Sequence, residues 1–458
     1  MADRPSRGDV ADVVIESLAT GGRGVARMDG YVVFVDRALP GDTVRIRLRS
    51  ARRRHGEADV VELLSPGADR VEPTCPHVGM CGGCRWQTYA YSAQLVEKAQ
   101  LVRDAIGRIA HLPDVPVEPI VGAEDNLEYR NKVELTFTET EEGPALGFHR
   151  AGRWDQVLEI ERCFLINEAA NAAKDAIQRW ARTTDLVAYD QRLHEGDLRN
   201  LVVRHSKRTG EVLLALVTTD INLPRPANLV DELIESVPGF VGLMHTRNSG
   251  QSETTYGHPT KLIHGQDFYR EEILGLTLHV PWNGFLQTNT DMCEKLYGIA
   301  IEEACLTGSE VVWDLYSGIG SIGLALARDA GRVVGIEIVP EAVEQATQNA
   351  QRNGIDNAEF IAGDVQKAIE PLVEAGAPMP DLVVIDPPRA GLTPKAVKRV
   401  LELGAKTIVY VSCNPTTLAG NAILMTEGGY DLEIVRPVDM FPHTPHVECV
   451  ARFVKRDQ

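Results

Sequence analysis

The chain has 458 residues, 44% of them hydrophobic, and a formal net charge of −18, which suits about three globular domains and excludes a protein that coats nucleic acid with its whole surface. No apolar run approaches a membrane span, and the opening Met1-Ala2-Asp3-Arg4-Pro5-Ser6-Arg7 does not read as a signal peptide, so a cytoplasmic address is expected. There the eight cysteines are expected to be reduced, and clustered ones to be metal ligands or catalytic thiols.

From about Val10 to Leu64, short β-runs alternate with glycine and Pro-Gly turns: Val13 to Ile15, Tyr31 to Val35, Val44 to Leu48, and Val60-Val61. Evenly spaced short strands predict a small closed barrel. In Val44-Arg45-Ile46-Arg47-Leu48-Arg49 the alternation sends Val44, Ile46 and Leu48 inward and the arginines outward. Arg52, Arg53 and Arg54 follow, with no acid between Thr43 and Gly56. So one-sided a cluster in an acidic chain predicts contact with an RNA backbone.

Cys75-Pro76-His77-Val78-Gly79-Met80-Cys81-Gly82-Gly83-Cys84 puts three thiols in one glycine-rich loop, and Cys163 is the candidate fourth ligand. Four thiolates suit zinc or an iron–sulfur cluster. Zinc sites more often show two Cys-x-x-Cys knuckles, so the spacing favours a 4Fe–4S cluster. Tyr91 to Ile109 reads as an amphipathic helix, with Leu95, Ala99, Val102, Ile106 and Ile109 at helical intervals. Strands such as Lys132 to Phe137 and Val212 to Val217 then predict an α+β middle domain.

From Val311 the pattern becomes strand, glycine loop, helix, strand. Gly318, Gly320 and Gly323 spell a dinucleotide fingerprint, so a nicotinamide or flavin oxidoreductase is an alternative. Asp314, just before the loop, would repel a pyrophosphate but suits the cationic groups of S-adenosylmethionine. Glu337, ending the second strand, is placed for ribose hydroxyls, and Asp364, after the third, for an adenine amino group. The fourth strand runs into Asp386-Pro387-Pro388-Arg389, a stiff turn at the carboxyl edge of the sheet. The fifth, Ile408 to Ser412, delivers Cys413, and Pro415 stops it.

Methylation of an exocyclic amine needs no thiol, but methylation of a pyrimidine carbon 5 does. Thiolate addition to carbon 6 makes carbon 5 nucleophilic, and a base must later remove the carbon-5 proton. Glu448 is the candidate base, with His443 and His446 as rivals; Cys449 is a rival thiol, expected to pack in the core.

Together these motifs resemble the S-adenosylmethionine-dependent RNA 5-methyluridine methyltransferases along nearly the whole chain. The resemblance implies a multidomain α/β protein with three parts: a TRAM-like, OB-like β-barrel over residues 1–66, a central α+β domain with the iron–sulfur loop over 67–285, and a Rossmann-like class I methyltransferase domain over 286–458. It implies Cys413 as nucleophile and Glu448 as base. Gln287 in Phe285-Leu286-Gln287-Thr288-Asn289, Tyr316, Glu337, Asp364 and Asp386 are expected to hold S-adenosylmethionine, and Cys75, Cys81, Cys84 and Cys163 to hold a 4Fe–4S cluster with a folding and RNA-positioning role. The expected partner is RNA, 23S ribosomal RNA first and transfer RNA second, bound by a monomer with no membrane contact. Phe285 is a candidate to stack where the target base leaves its RNA fold.

Overall fold

The computed structural model describes residues 5–457. Val10–Val14 pairs with Thr43–Ala51, and the same stretch of chain continues into Ser17–Ala19, which pairs with Arg23–Met28. The remaining strands, Tyr31–Asp36 and His55–Ser65, complete a six-stranded sheet between those two edges, so the first stretch closes the sheet on itself. Val44, Ile46 and Leu48 point into the barrel core, each at most 1% exposed, beside Val13, Ile15, Ala26, Val33 and Val35. The outward arginines are less free than the local sequence suggests. Arg45 bonds Asp12 and Glu62, and Arg49 bonds Asp36 and Asp59, all from other strands. Cross-strand neighbours are invisible in a run of adjacent residues. Among the described residues Arg47, Arg52, Arg53 and Arg54 make no ion pair, which leaves these four as the exposed basic edge.

The middle of the chain forms a seven-stranded sheet ordered Thr260–Gly265, Phe240–Arg247, Val212–Thr218, Leu198–His205, Lys132–Thr140, Gly143–Arg150, Arg153–Glu159. Helices Glu168–Arg182 and Pro226–Ser236 cover one face. Val202, Leu213, Ala215 and Met244 on the other face join the hairpin Phe268–Pro281 and the helix Thr290–Ala304 in one core with Val312 and Leu324. Burial on both faces explains why Leu198–His205 and Val212–Thr218 show no polar alternation.

The last sheet runs Ala358–Ala362, Arg332–Glu337, Val311–Leu315, Leu382–Ile385, Thr407–Ser412, Glu448–Lys455, Tyr430–Val438. Its first five strands are parallel, while Glu448–Lys455 runs antiparallel to both neighbours. In such a sheet the carboxyl ends of the parallel strands form the ligand edge. The antiparallel strand begins at that same edge.

Helix Tyr91–Asp104 continues as a π-turn over Ala105–Ile109. Ala99, Val102 and Ile106 are buried as expected, but Ile109 is 40% exposed, because the widened turn rotates it off the buried face. The face also buries two polar residues, Gln94 and Lys98, both at 0% exposure. Lys98 Nζ donates to Asp439 Oδ1 at 2.5 Å and to the Phe441 carbonyl at 3.0 Å. Gln94 accepts from the backbone N–H of His443 and its amide nitrogen lies 3.2 Å from His443 Nδ1. Both residues thereby clamp the segment Asp439 to His446, which leads into the last strand.

Burial disfavours the Lys98 ammonium and only the Asp439 carboxylate holds it charged. Lys98→Met leaves Asp439 buried and unpaired, and we expect it to lower stability in urea unfolding by about 3–5 kcal/mol; Lys98→Met with Asp439→Leu should recover most of the loss.

Candidate active site

The carboxyl edge of the last sheet gathers the chemistry. Ser412 is in register with Cys449, so the next step along the two strands sets Cys413 across from Glu448. Asn414 caps helix Pro415–Glu427 through its side chain, and Pro415 fills the first turn, so the strand must end where it does and the half-buried thiol projects from its end. Leu382–Ile385 delivers Asp386 beside them. Gln287, 4% exposed, donates to Asp386 Oδ2 at 3.3 Å.

These acids have been taken out of water close together. Burial, then Glu448 and Asp386, pushes the Cys413 thiol up to about 11, opposed by the Arg389 guanidinium. Burial raises Asp386 to about 7, opposed by the Gln287 amide, and burial with Asp386 drives Glu448 well above the carboxylate range. Glu448 Oε2 is buried without a hydrogen-bond partner. A buried carboxyl left unsatisfied is costly, so its retention at the rim of a cleft points to function rather than stability.

A second group lies along the same edge. Tyr316 takes a left-handed φ of 67° at the turn after Val311–Leu315, and both Asp364 and Glu337 raise its phenol after burial has done so. The Glu337 carboxylate is fixed by two backbone N–H groups, Gly318 to Oε2 and Val339 to Oε1, each at 3.0 Å. Asp364 precedes helix Val365–Glu374, yet its side chain makes no cap bond there. Gly318 has a φ of 55° with open space where a Cβ would stand, and the buried Ser317 hydroxyl has no partner. A loop with spare room, an orphaned donor and two oriented carboxylates fits a nucleoside carrying hydroxyl and amino groups. Tyr410 donates to Asn421 Oδ1 at 2.8 Å, and its phenol is raised by burial and then by Tyr316, Asp386 and Cys413.

Asp314 departs from the expectation of direct access to the cofactor. It is 1% exposed beneath the helix start, its Oδ2 accepting from the Gly323 N–H at 2.9 Å, and a Cβ at Gly323 would stand 2.6 Å from that oxygen. The third glycine of the motif is thus explained by close packing over a carboxylate. Burial, then Asp386, raises Asp314 to about 7.

Of the rival residues, Cys449 is fully buried in the core. His443 is held by Gln94 from both its backbone and its ring. His446 Nδ1 lies 3.1 Å from the Arg389 guanidinium, and burial together with that cation lowers both its basicity and its fitness as a proton acceptor.

The thiols of Cys75, Cys81, Cys84 and Cys163 line one cavity of about 190 Å³, with Val78, Phe148, Ile160 and Phe164 as apolar walls. Burial, then Cys163, Cys81 and Cys75, pushes Cys84 up to about 12. Among the described residues no group of three or more His, Cys, Asp or Glu is placed to hold a metal ion, although the four cysteines line the one cavity. Arg130, which sequence reading left unassigned, lines this cavity, and its buried Nε has no partner. Nothing local in Tyr129-Arg130-Asn131-Lys132 announces that role, since Cys84 and Cys163 reach it from distant parts of the chain. Asn131 is equally hidden in the sequence: it donates from Nδ2 to the Gln287 carbonyl at 2.9 Å and so positions Gln287.

Known proteins share this architecture. Residues 258–456 match the tRNA (Uracil-5-)-methyltransferase family and residues 5–61 the TRAM domain. An uncharacterized RNA methyltransferase of Halalkalibacterium halodurans is 36% identical over 446 residues, covering 97% of each chain. One from Nitratidesulfovibrio vulgaris is 38% identical over 454 residues, covering 97% of this chain and 96% of the relative. The crystal structure of Pyrococcus abyssi tRNA (uracil-54, C5)-methyltransferase in complex with S-adenosyl-L-homocysteine superposes with a TM-score of 0.77 at 28% identity, over 97% of this chain and 100% of that one. No helix among the described residues is long and apolar enough to cross a membrane. With a TRAM barrel at one end and a class I methyltransferase sheet at the other, the chain belongs to the S-adenosylmethionine-dependent RNA uracil-5-methyltransferases.

Proposed function

We propose that this enzyme methylates carbon 5 of one uridine through a covalent adduct with Cys413, and that Glu448 is the base that releases it. The observation that carries this reading is the placement of thiol and carboxyl across adjacent strands at the ligand edge, the thiol half-buried, the carboxyl buried, and both beside Asp386. The Cys413 sulfur bonds to carbon 6 of the uracil, the electron pair of the 5,6 double bond moves toward the oxygen on carbon 4, and carbon 5 becomes nucleophilic. S-adenosylmethionine, when bound, supplies an electrophilic methyl group. Glu448 then takes the proton from carbon 5, the carbon–sulfur bond breaks, and the thiolate leaves. Arg389 is the cation placed to favour that thiolate. Tyr316, Glu337, Asp364 and Asp386 would hold the cofactor, with Gln287 orienting Asp386. Phe285, 64% exposed on the loop that Arg204 anchors through the Trp282 carbonyl, would fill the place of the extruded base.

We also propose that the four-cysteine cavity holds a 4Fe–4S cluster. A cubane needs its thiolates spread around a volume rather than converged on a point, and Arg130 would offset its charge. For the RNA, the pairing of barrel and cysteine loop supports a ribosomal target, acted on by a monomer; the likeness to the P. abyssi transfer-RNA enzyme favours transfer RNA as the second reading.

The test is methyl transfer from labelled S-adenosylmethionine to bulk RNA lacking its natural methylation, followed by fractionation of the RNA. Wild type should form 5-methyluridine and Cys413→Ala none; transfer by Cys413→Ala at the wild-type rate would refute the covalent route. Glu448→Gln should slow turnover about 10²–10⁴-fold and accumulate methylated RNA bound to protein on denaturing gels, because only the release step is blocked. For the cluster, protein purified without oxygen should contain iron and inorganic sulfide, both lost in Cys84→Ala; stoichiometric zinc without sulfide would overturn that assignment.

A further inference from the structure

Trp154 is 65% exposed, whereas the other four tryptophans, Trp86, Trp180, Trp282 and Trp313, are at most 7% exposed. It stands on the edge strand Arg153–Glu159, at the mouth of an open cavity of about 570 Å³ lined also by Gln191, Arg192, His194, Gln251 and Glu253. The walls of this cavity are two loops, and one buried side chain fixes both. Arg199, 3% exposed, donates to the carbonyls of Asn248 at 3.0 Å, Gly250 at 2.6 Å and Ser252 at 2.7 Å. The same guanidinium lies 4.1 Å from the centre of the Tyr189 ring, whose hydroxyl is 3.1 Å from His194 Nδ1. In the second loop, Asp190 Oδ1 accepts from the N–H groups of Arg192 and Leu193, and Arg192 is tied to Asp155 of the tryptophan's own strand. A surface pocket this firmly built does not have to order its walls on binding.

We propose that this pocket is a second base-binding site, in which an unpaired nucleobase of the RNA stacks on Trp154, on a different sheet from the strand that ends at Cys413. The reading rests on RNA being the substrate. Three observations choose a base over an anion or an apolar partner. The flat indole is the strongest stacking surface a side chain offers. The lining joins amide and imidazole groups to an Arg192 guanidinium already paired with Asp155, and Gln191 Oε1 has no partner, an acceptor for an N–H donor of the kind a base edge presents. Glu253 would repel a phosphate but accept from an amino group. The site also lies beside the cysteine loop and the barrel. The hairpin tip beside Trp154 bonds to the cysteine loop through Gly82 N–H to the His149 carbonyl and Ala151 N–H to the Met80 carbonyl, and Ala151 and Gly152 line a cavity shared with Arg23, Arg37 and Arg49 of the barrel. The tryptophan's hairpin and the barrel are thus joined through the cysteine loop.

Trp154 is a spectroscopic reporter as well as the proposed contact. Short oligoadenylate added to the full-length protein should quench part of the tryptophan emission and shield it from iodide, and Trp154→Phe should abolish that response. In methyl transfer to RNA lacking its natural methylation, Trp154→Ala should raise KM for RNA about ten-fold or more, with the affinity for S-adenosylmethionine as the control for folding and partial rescue by Trp154→Phe. Unchanged quenching in Trp154→Phe, or an unchanged KM in Trp154→Ala, would overturn the proposal. So would a concentration-dependent dimer that Trp154→Ala abolishes while RNA affinity stays constant, since the patch would then be a protein-docking surface. Absence of methyl transfer by wild type would instead refute the substrate, and the quenching arm would still report on the pocket.

Discussion

One reversed strand determines what the edge of the last sheet can do. Had Glu448–Lys455 run parallel to Thr407–Ser412, its first residue would lie at the opposite edge, a strand's length from the thiol. Running antiparallel, it brings Glu448 to the rim where Cys413 ends its own strand. A parallel sheet can line its carboxyl edge only with groups that follow its strands; here a group that precedes a strand joins them. The acid is then enclosed by Val438, Asp386 and the clamped segment before it, and burial beside Asp386 disfavours its charged form.

That segment explains why the middle of the chain matters to an edge it does not contain. Trp86, two residues past Cys84, donates its N–H to the His443 carbonyl. Gln94 and Lys98 follow on the helix, and the Tyr129 hydroxyl reaches the Pro442 carbonyl at 3.1 Å. The loop that carries three of the four clustered thiols is therefore followed at once by residues that grip the approach to Glu448. Asn131 and Arg204 do the same for the Phe285 to Gln287 loop. Both halves of the site take their position from polar side chains in another part of the fold, buried where they can serve only one geometry.

The parts of this arrangement that could be read from residues alone are those written in adjacent positions. The strand that ends at Cys413, the Asp386-Pro387-Pro388 turn, the glycine loop and the inward set Val44, Ile46 and Leu48 all depend on local periodicity or local chain stiffness. What escaped was decided by partners far away. Arg45 and Arg49 looked free because Asp12, Asp36 and Asp59 lie on other strands. Gln94 and Lys98 break the apolar stripe of their helix because their partners lie more than three hundred residues later. Ile109 falls outside the buried stripe because a π-turn shifts the angular period. Asp314, expected from its place before the loop to face the cationic groups of the cofactor, is instead covered by its backbone partner at Gly323.

The Lys98 to Asp439 pair spans 341 residues of chain, which bears on how the protein comes to be folded as it is made. While the ribosome is still working toward Asp439, the helix Tyr91–Asp104 has already emerged with a lysine and a glutamine on its inner face and nothing to receive them. Closing so long a loop is entropically slow, and contacts of such separation delay folding. The barrel, whose pairings all lie within its first 65 residues, is free to form early. The helix beside the cysteine loop has its inner face satisfied only once Asp439 arrives, so the final assembly of this enzyme is a late step of folding.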